Sequence, residues 1–341
     1  MRTADFEYSL PEGLIAQAAR PRGASRLLVL DRANGDVSLT RISALPSLLN
    51  PGDLLLLNEV RVIPARLRAH RPGGGEAELL LVRPLGGSAW EAMARPAKRL
   101  RAGVPLALAR GTAVPRERMA EGTWRVEFDP PLDEASLAAV GEVPLPPYIR
   151  REHGPSQADR LRYQTVYARI GRAVAAPTAG LHFTPELLAA VGERAVEVAR
   201  LTLHVGPGTF RPVQAEDPLE HALEPEDYEI SPEAAAALNR ALAAGRRVVC
   251  VGTTSCRALE HALRAGCGRV LPGLGRADLF ILPGYRFRGT GALVTNFHLP
   301  RSTLLMLVAA LAGRVRVLAA YGVAVREGFS FYSFGDAMLV F

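Results

Sequence analysis

Three times in the second half of the chain a hydroxyl residue stands where a helix would begin: Thr184-Pro185, Ser231-Pro232 and Ser302-Thr303. A hydroxyl at the N-cap accepts from the open N–H groups of the first turn. Proline at the first helical position loses nothing, because its missing N–H has no partner there. These starts alternate with runs of buried-strand type. AVEVARLTLHVG follows a short helix ending near Gly192, and RRVVCVG at 246–252 follows the helix AAAALNRALAA, which stops at Gly245. TTSCRALEHALRAG then repeats its apolar residues at helical spacing, and a final helix from about Ser302 is apolar all round and therefore buried. Alternation of this kind predicts a layered α/β domain.

An earlier segment obeys different rules. From Arg61 to Arg118 there are twelve Arg or Lys against four acidic residues, a surplus larger than the +7 of the whole chain. Short apolar runs (AELLLVRPL, SAWEAMA, VPLALA, TWRVEF) are separated by RPGGGE, LGGS and RAGVP, the pattern of a small all-β barrel. The proline-dense EVPLPPYIRR at 142–151 closes it. RLLVLDR at 26–32 and DLLLLN at 53–58 read as strands that join the later α/β part. The expectation is one main α/β domain from residues 1–60 and 149–341, with a basic β-barrel inserted at 61–148. A length of 341 residues suits two cores better than one.

Composition narrows the class. With 48% hydrophobic and 22% charged residues the chain is an ordinary globular one. Lys98 is the only lysine, so the positive charge is carried by arginine, whose planar fork suits phosphate and is compatible with a nucleic-acid partner. Cys250, Cys256 and Cys267 match no zinc spacing and read as reduced thiols. MRTADFEYSL does not resemble a signal peptide, and LLMLVAALA at 304–312 is far short of the roughly 20 residues of a membrane helix. A cytoplasmic monomer without membrane association is expected.

The chemistry-bearing stretches are few. AAPTAGLHFT at 175–184 is too broken for a core strand or helix and reads as a packed loop. Three of seven histidines, His182, His204 and His298, sit between large apolar neighbours in TAGLHFT, LTLHVGPGTF and VTNFHLPRST. Such histidines serve either as hydrogen-bonded core residues or as acid–base groups. Their spacing fits no metal motif, so no metal is expected. Strand, then Thr253-Thr254-Ser255, then helix makes an anion-favouring helix start, although hydroxyls there are also ordinary caps. Arg257 and Glu260 follow in the first turns.

Together these stretches resemble one family. VAAPTAGLHFT, LTLHVGPGTFRPV, VGTTSCRALE, LVTNFHLPRSTLLMLVAAL and FYSFGDAML are similar to strings of the S-adenosylmethionine:tRNA ribosyltransferase-isomerases of queuosine synthesis. DFEYSLPEGLIAQ, RLLVLDR, LLNEVRVIPARL, VPLPPYIRR and RYQTVYA match as well, so the resemblance runs in order from Asp5 to Phe341. It implies an α/β domain with an inserted β-barrel. It further implies transfer of the ribosyl part of S-adenosylmethionine to 7-aminomethyl-7-deazaguanine at the wobble position of a tRNA. Adenine and methionine leave, the product is epoxyqueuosine, and S-adenosylmethionine is a co-substrate rather than a resident cofactor.

The sulfonium acidifies the neighbouring ribose carbon, so the reaction needs a base there and a donor for departing adenine; His182, His204 and His298 are the candidates. Substrate contacts are expected from Thr178, Gly180, Phe183, Gly206, Thr209, Phe210, Thr253, Thr254, Ser255, Arg257, Glu260, Asn296 and Asp336. Phe297 is a further base-stacking candidate. Arg61, Arg66, Arg150 and Arg151 are expected on the RNA backbone, or else as solvated surface charge. The chain departs from the family's N-D-T-R at Glu59-Val60, from M-H-S-E at Leu223-Glu224-Pro225-Glu226, from an aspartate at Gly291, and from Y-R-F-F-S-Y-G-D in its last motif, around Ser330. These departures leave open a paralogue with another acceptor, or a catalytically degenerate tRNA-binding protein.

Overall fold

The run Leu54–Asn58, LLLLN, is buried from end to end in the middle of a nine-stranded sheet. It lies parallel to Glu197–Leu203, with Leu54 opposite Glu197, and to Val248–Val251, with Leu54 opposite Val248. The structure, a computed structural model, describes residues 1–119, 122–206 and 213–341. Across the sheet the order is Gly273–Ala277, Glu226–Ile230, Glu197–Leu203, Leu54–Asn58, Val248–Val251, Thr290–Asn296, Ala337–Val340, Arg26–Leu30 and Val37–Arg41. Strands from before residue 60 are therefore built into one hydrogen-bonded layer with strands from after residue 196, Leu54–Asn58 lying between two of them.

The central strands are apolar without alternation because both faces are covered. Leu27, Val29, Leu55, Leu57, Val249 and Val251 share one core with the helix Pro185–Glu193. Their neighbours Leu28, Leu30, Leu54, Leu56, Val248 and Cys250 share the other with the helices Pro232–Ala243, Thr253–Ala265, Thr303–Ala312 and Arg314–Arg326. Each leucine sealed this way contributes about 2 kcal/mol by leaving water.

The three hydroxyl starts cap as read: Leu187 N–H donates to Thr184 Oγ1 (3.0 Å), Ala234 N–H to Ser231 Oγ (3.2 Å) and Leu305 N–H to Ser302 Oγ (3.2 Å). The helix Thr253–Ala265 begins differently, from Gly252 at φ 91° with no side-chain cap. The last apolar helix is really two, Thr303–Ala312 and Arg314–Arg326, bent by 113° at Gly313, whose φ is 87°. The second helix carries no hydroxyl cap and begins with alternating arginine and valine, so local sequence does not announce it. No single helix among the described residues is long and apolar enough to cross a membrane.

The basic segment forms a closed six-stranded barrel. Arg66–His70, Glu76–Gly86, Ala89–Arg95, Trp124–Asp129, Thr112–Arg118 and Leu106–Leu108 pair in that order, and Leu106–Leu108 pairs back onto Arg66–His70. Leu67, Leu79, Leu81, Ala92, Val126 and Phe128 fill its interior, while arginines alternate outward. Closure leaves no free edge to aggregate. Thr112–Arg118 escapes a sequence reading because Pro115 interrupts it; the register shift between Arg125 and Val126 lies opposite that proline. Val60–Val62 pairs in parallel with Ile170–Ala173 where the barrel leaves the main sheet.

Candidate active site

The broken stretch AAPTAGLHFT folds as a single tight turn, the 3-10 helix Thr178–His182, with Ala179, Gly180, Leu181 and His182 buried. Gly180 is required there: a Cβ at this position would lie 2.1 Å from the Tyr167 hydroxyl and 2.8 Å from Thr165 Cγ2. The turn, the helix start at Gly252–Thr254, the strand end Thr295–Asn296 with His298, and Tyr332–Ser333 surround a cavity of about 60 Å³. Tyr148 lines it as well, its ring centroid 4.6 Å from that of Tyr332.

Behind this cavity His182 is held at both ring nitrogens. Nδ1 is 2.8 Å from Ser25 Oγ and Nε2 is 3.2 Å from Asn296 Nδ2. Asn296 Nδ2 also donates to the Tyr332 carbonyl at 3.0 Å. Tyr332 adopts φ 71°, unusual for a non-glycine residue. Its N–H donates to the Phe297 carbonyl at 3.1 Å, so a strained backbone is fastened at both ends beside the cavity. Burial pushes the Tyr332 phenol up to about 12.

His298 borders the cavity directly, with Nε2 2.7 Å from Thr295 Oγ1. Its backbone is clamped: His298 N–H donates to the Tyr321 hydroxyl (3.0 Å), and the Tyr8 hydroxyl donates to its carbonyl (2.5 Å). Burial lowers His182 to about 4 and His298 to about 3, so both rings are neutral at neutral pH.

His204 lies elsewhere. It opens with Gly206 on a second, larger cavity of about 1460 Å³ between the barrel and the sheet, walled by Arg61, Arg83, Arg172 and Arg257 among others. Arg172 N–H donates to His204 Nδ1 at 3.2 Å, and burial lowers the imidazole below its ordinary value. Val205 borders both cavities.

Of the residues expected from sequence, Thr178, Thr253, Thr254, Asn296 and His298 thus meet around one cavity, with His182 and Gly180 supporting it. The others are placed differently. Phe183 is buried edge-on to Tyr167; Phe297 borders the same cavity but packs its ring against Tyr321, Phe329 and Phe331. Ser255 Oγ donates to the Val251 carbonyl (2.8 Å). Glu260 accepts from the N–H groups of Arg288, Gly289 and Thr290 and from two hydroxyls, which ties a loop to its helix. Asp336 accepts from Arg26 N–H and Ser330 N–H, both at 2.8 Å. Thr209 and Phe210 lie outside the described residues.

The four expected RNA contacts all have carboxylate partners: Arg61 with Glu134, Arg66 with Glu78, Arg150 with Glu12 and Arg151 with Asp159. At Gly291, where the resembled family carries an aspartate, a Cβ would lie 2.7 Å from Arg247 Cγ. Arg247 is itself committed to Asp53 (2.5 Å). Sequence reasoning did not single out Ser25, Tyr148, Thr295 or Tyr332. Tyr148, Thr295 and Tyr332 lie inside motifs quoted above and Ser25 beside one, but Ser25, Tyr148 and Tyr332 acquire their roles from partners distant in the chain, whereas Thr295 meets His298 three residues away. Among the described residues no three His, Cys, Asp or Glu side chains gather as a metal site.

The family model described as "Queuosine biosynthesis protein" matches residues 3–340. A protein of Anaeromyxobacter dehalogenans strain 2CP-C named S-adenosylmethionine:tRNA ribosyltransferase-isomerase is 52% identical over 350 residues, covering 100% of this chain and 99% of that one. One of the same name from Moorella thermoacetica is 49% identical over 355 residues, with both chains fully covered. The crystal structure of S-adenosylmethionine tRNA ribosyltransferase from Thermotoga maritima is 36% identical, with a TM-score of 0.57 over 99% of this chain and 100% of that one.

Proposed function

This chain belongs to the queuosine biosynthesis protein family, and from that premise we propose that it is an S-adenosylmethionine:tRNA ribosyltransferase-isomerase. The full-length identity to enzymes of that name carries the reading. The reaction moves the ribosyl group of S-adenosylmethionine onto the aminomethyl nitrogen of 7-aminomethyl-7-deazaguanine at the tRNA wobble position, with loss of adenine and methionine and formation of epoxyqueuosine.

The residues divide this work between the two cavities. His298, neutral and bordering the small cavity, is the base for the proton on the ribose carbon next to the sulfonium. Its clamped backbone keeps the ring in place during that transfer. The uncapped helix start at Thr253–Thr254 offers N–H groups and the positive end of the helix dipole to substrate acceptors. Tyr148 and Tyr332 supply apolar ring surface that excludes water. The larger cavity, where Arg61, Arg83, Arg169, Arg172, Arg257 and Arg276 are interspersed with Asp133, Glu134, Glu224, Glu226 and Asp227, admits the tRNA loop, with His204 on that side.

The test is adenine release from S-adenosylmethionine by the purified full chain. Release is expected only when tRNA bearing the deazaguanine precursor is added, and His298→Ala should reduce it by about 10²–10⁴-fold. Binding of tRNA without adenine release under any condition would identify a degenerate binder. Release that needs no tRNA, or that proceeds on another acceptor, would identify the paralogue.

A further inference from the structure

Asn296 is 2% exposed, and its amide is oriented without ambiguity. The atom 3.0 Å from the Tyr332 carbonyl must be Nδ2, because a carbonyl can only accept. The same Nδ2 lies 3.2 Å from His182 Nε2, so its second hydrogen points at that nitrogen. A neutral ring that accepts at Nε2 carries its proton on Nδ1, and that proton goes to Ser25 Oγ at 2.8 Å. The ring is therefore saturated at both nitrogens, and the amide is turned so that Oδ1 is the atom left over. Asn296 Oδ1 is buried and has no hydrogen-bond partner among the described residues; the same holds for Thr254 Oγ1, on a residue 6% exposed. Both residues line the small cavity, beside the uncapped helix start and the Tyr148–Tyr332 rings.

An unpaired buried acceptor costs free energy unless a ligand donates to it. Oδ1 can only accept, which repels a carboxylate or phosphate. The Thr254 hydroxyl can donate as well as accept, and the helix start donates. The ligand complementary to this set is a flat ring edge on which an amino donor adjoins a ring-nitrogen acceptor.

We infer that Asn296 Oδ1 and Thr254 Oγ1 recognise the exocyclic amino edge of a purine-type base, and that His182 is a positioning residue which, with Ser25, fixes the amide for that purpose. This rests on the reading proposed above for the reaction, which brings two such bases to the protein: the adenine of S-adenosylmethionine and the deazaguanine of the tRNA.

The experiment is equilibrium binding to the full chain with two ligand pairs. One pair is S-adenosylmethionine and its 6-deamino analogue, with hydrogen in place of the amine. The other is tRNA with guanosine or with inosine at the wobble position, which differ in the 2-amine. One pair should show about 30-fold weaker binding without the amine, and the pair that does so identifies the source. In Asn296→Leu the two members of that pair should bind within about threefold of each other. His182→Leu should lose the discrimination likewise, whereas His182→Gln, whose side-chain oxygen can still accept from the amide, should retain most of it.

Discrimination of neither pair by the wild type overturns the inference without relying on any variant. So does discrimination that survives in Asn296→Leu. Equal loss in His182→Gln and His182→Leu would remove the positioning role. If the amine is discriminated while precursor tRNA triggers no adenine release, the reaction assignment fails and this one stands.

Discussion

Arg257 and Glu226 meet in a buried ion pair, Nη1 to Oε2 at 2.6 Å, on the wall of the larger cavity. Arg257 also donates to the carbonyls of Leu279 and Ala277 (both 3.3 Å), and Glu226 accepts from Gly206 N–H (3.1 Å). The pair thus ties the helix Thr253–Ala265 to the backbone beside His204.

Removing one member strands the other charge. Arg257→Met should cost about 3–5 kcal/mol in urea unfolding, and the double replacement Arg257→Met with Glu226→Met should cost less than the single one. A double variant less stable than Arg257→Met would mean that the pair stabilises the fold outright.

Stability should also depend on pH through His182 and His298. Burial holds these rings at about 4 and about 3, against 6.5 when exposed. Between those values the unfolded chain binds protons that the folded chain does not, so stability is full above pH 6.5 and is lost as pH falls. At pH 5 each ring accounts for about 2 kcal/mol of that loss. Denaturant midpoints at pH 7.5 and pH 5 measure the effect, and His182→Gln should remove about half of this two-ring contribution. Midpoints that do not move would show that the rings become charged inside the fold.

At Gly180 the constraint is steric. A methyl group there collides with the Tyr167 hydroxyl, which has no hydrogen-bond partner among the described residues. Gly180→Ala should displace the turn carrying Thr178 and His182, cost about 1–3 kcal/mol, and reduce kcat by more than the stability loss explains. Adding Tyr167→Phe makes room and should restore part of the activity. No recovery in the double variant would locate the strain at Thr165 instead.

The role of the arginines that line the larger cavity can be read through salt. Arg172 is exposed there, next to the backbone that donates to His204. If it meets a tRNA phosphate, Arg172→Ala should weaken tRNA binding for all sequences alike and make the slope of log affinity against log salt shallower by nearly one. Arg150→Ala, which breaks an exposed pair with Glu12, should change the slope less. The reverse ranking would move the RNA path to the N-terminal side.

Much of this protein is written locally. Thr184, Ser231 and Ser302 announce their helices because a cap is settled by residues three positions apart. Leu54–Asn58 reads as a two-sided strand because four consecutive leucines in so short a run, directly after the turn residues Pro51-Gly52-Asp53, suit a strand covered on both faces. The barrel was readable from the rhythm of short apolar runs and Gly-Pro breaks, apart from the strand that Pro115 disguises. Residue order along the motifs was also enough to recognise the family.

What no local pattern contains is the partner of each polar group. His182 looks like a catalytic imidazole in TAGLHFT, yet its nitrogens are occupied by Ser25, 157 residues away, and Asn296, 114 residues away. His204 resembles the other two in its flanking residues but opens on a different cavity. Glu260 and Asp336 look free for substrate and instead bind backbone N–H groups. Caps and strands depend on energies between near neighbours, which the order of residues determines. The protonation state, tautomer and availability of a buried group depend on which distant atoms the packed sheet brings within 3 Å, and only the tertiary structure decides that.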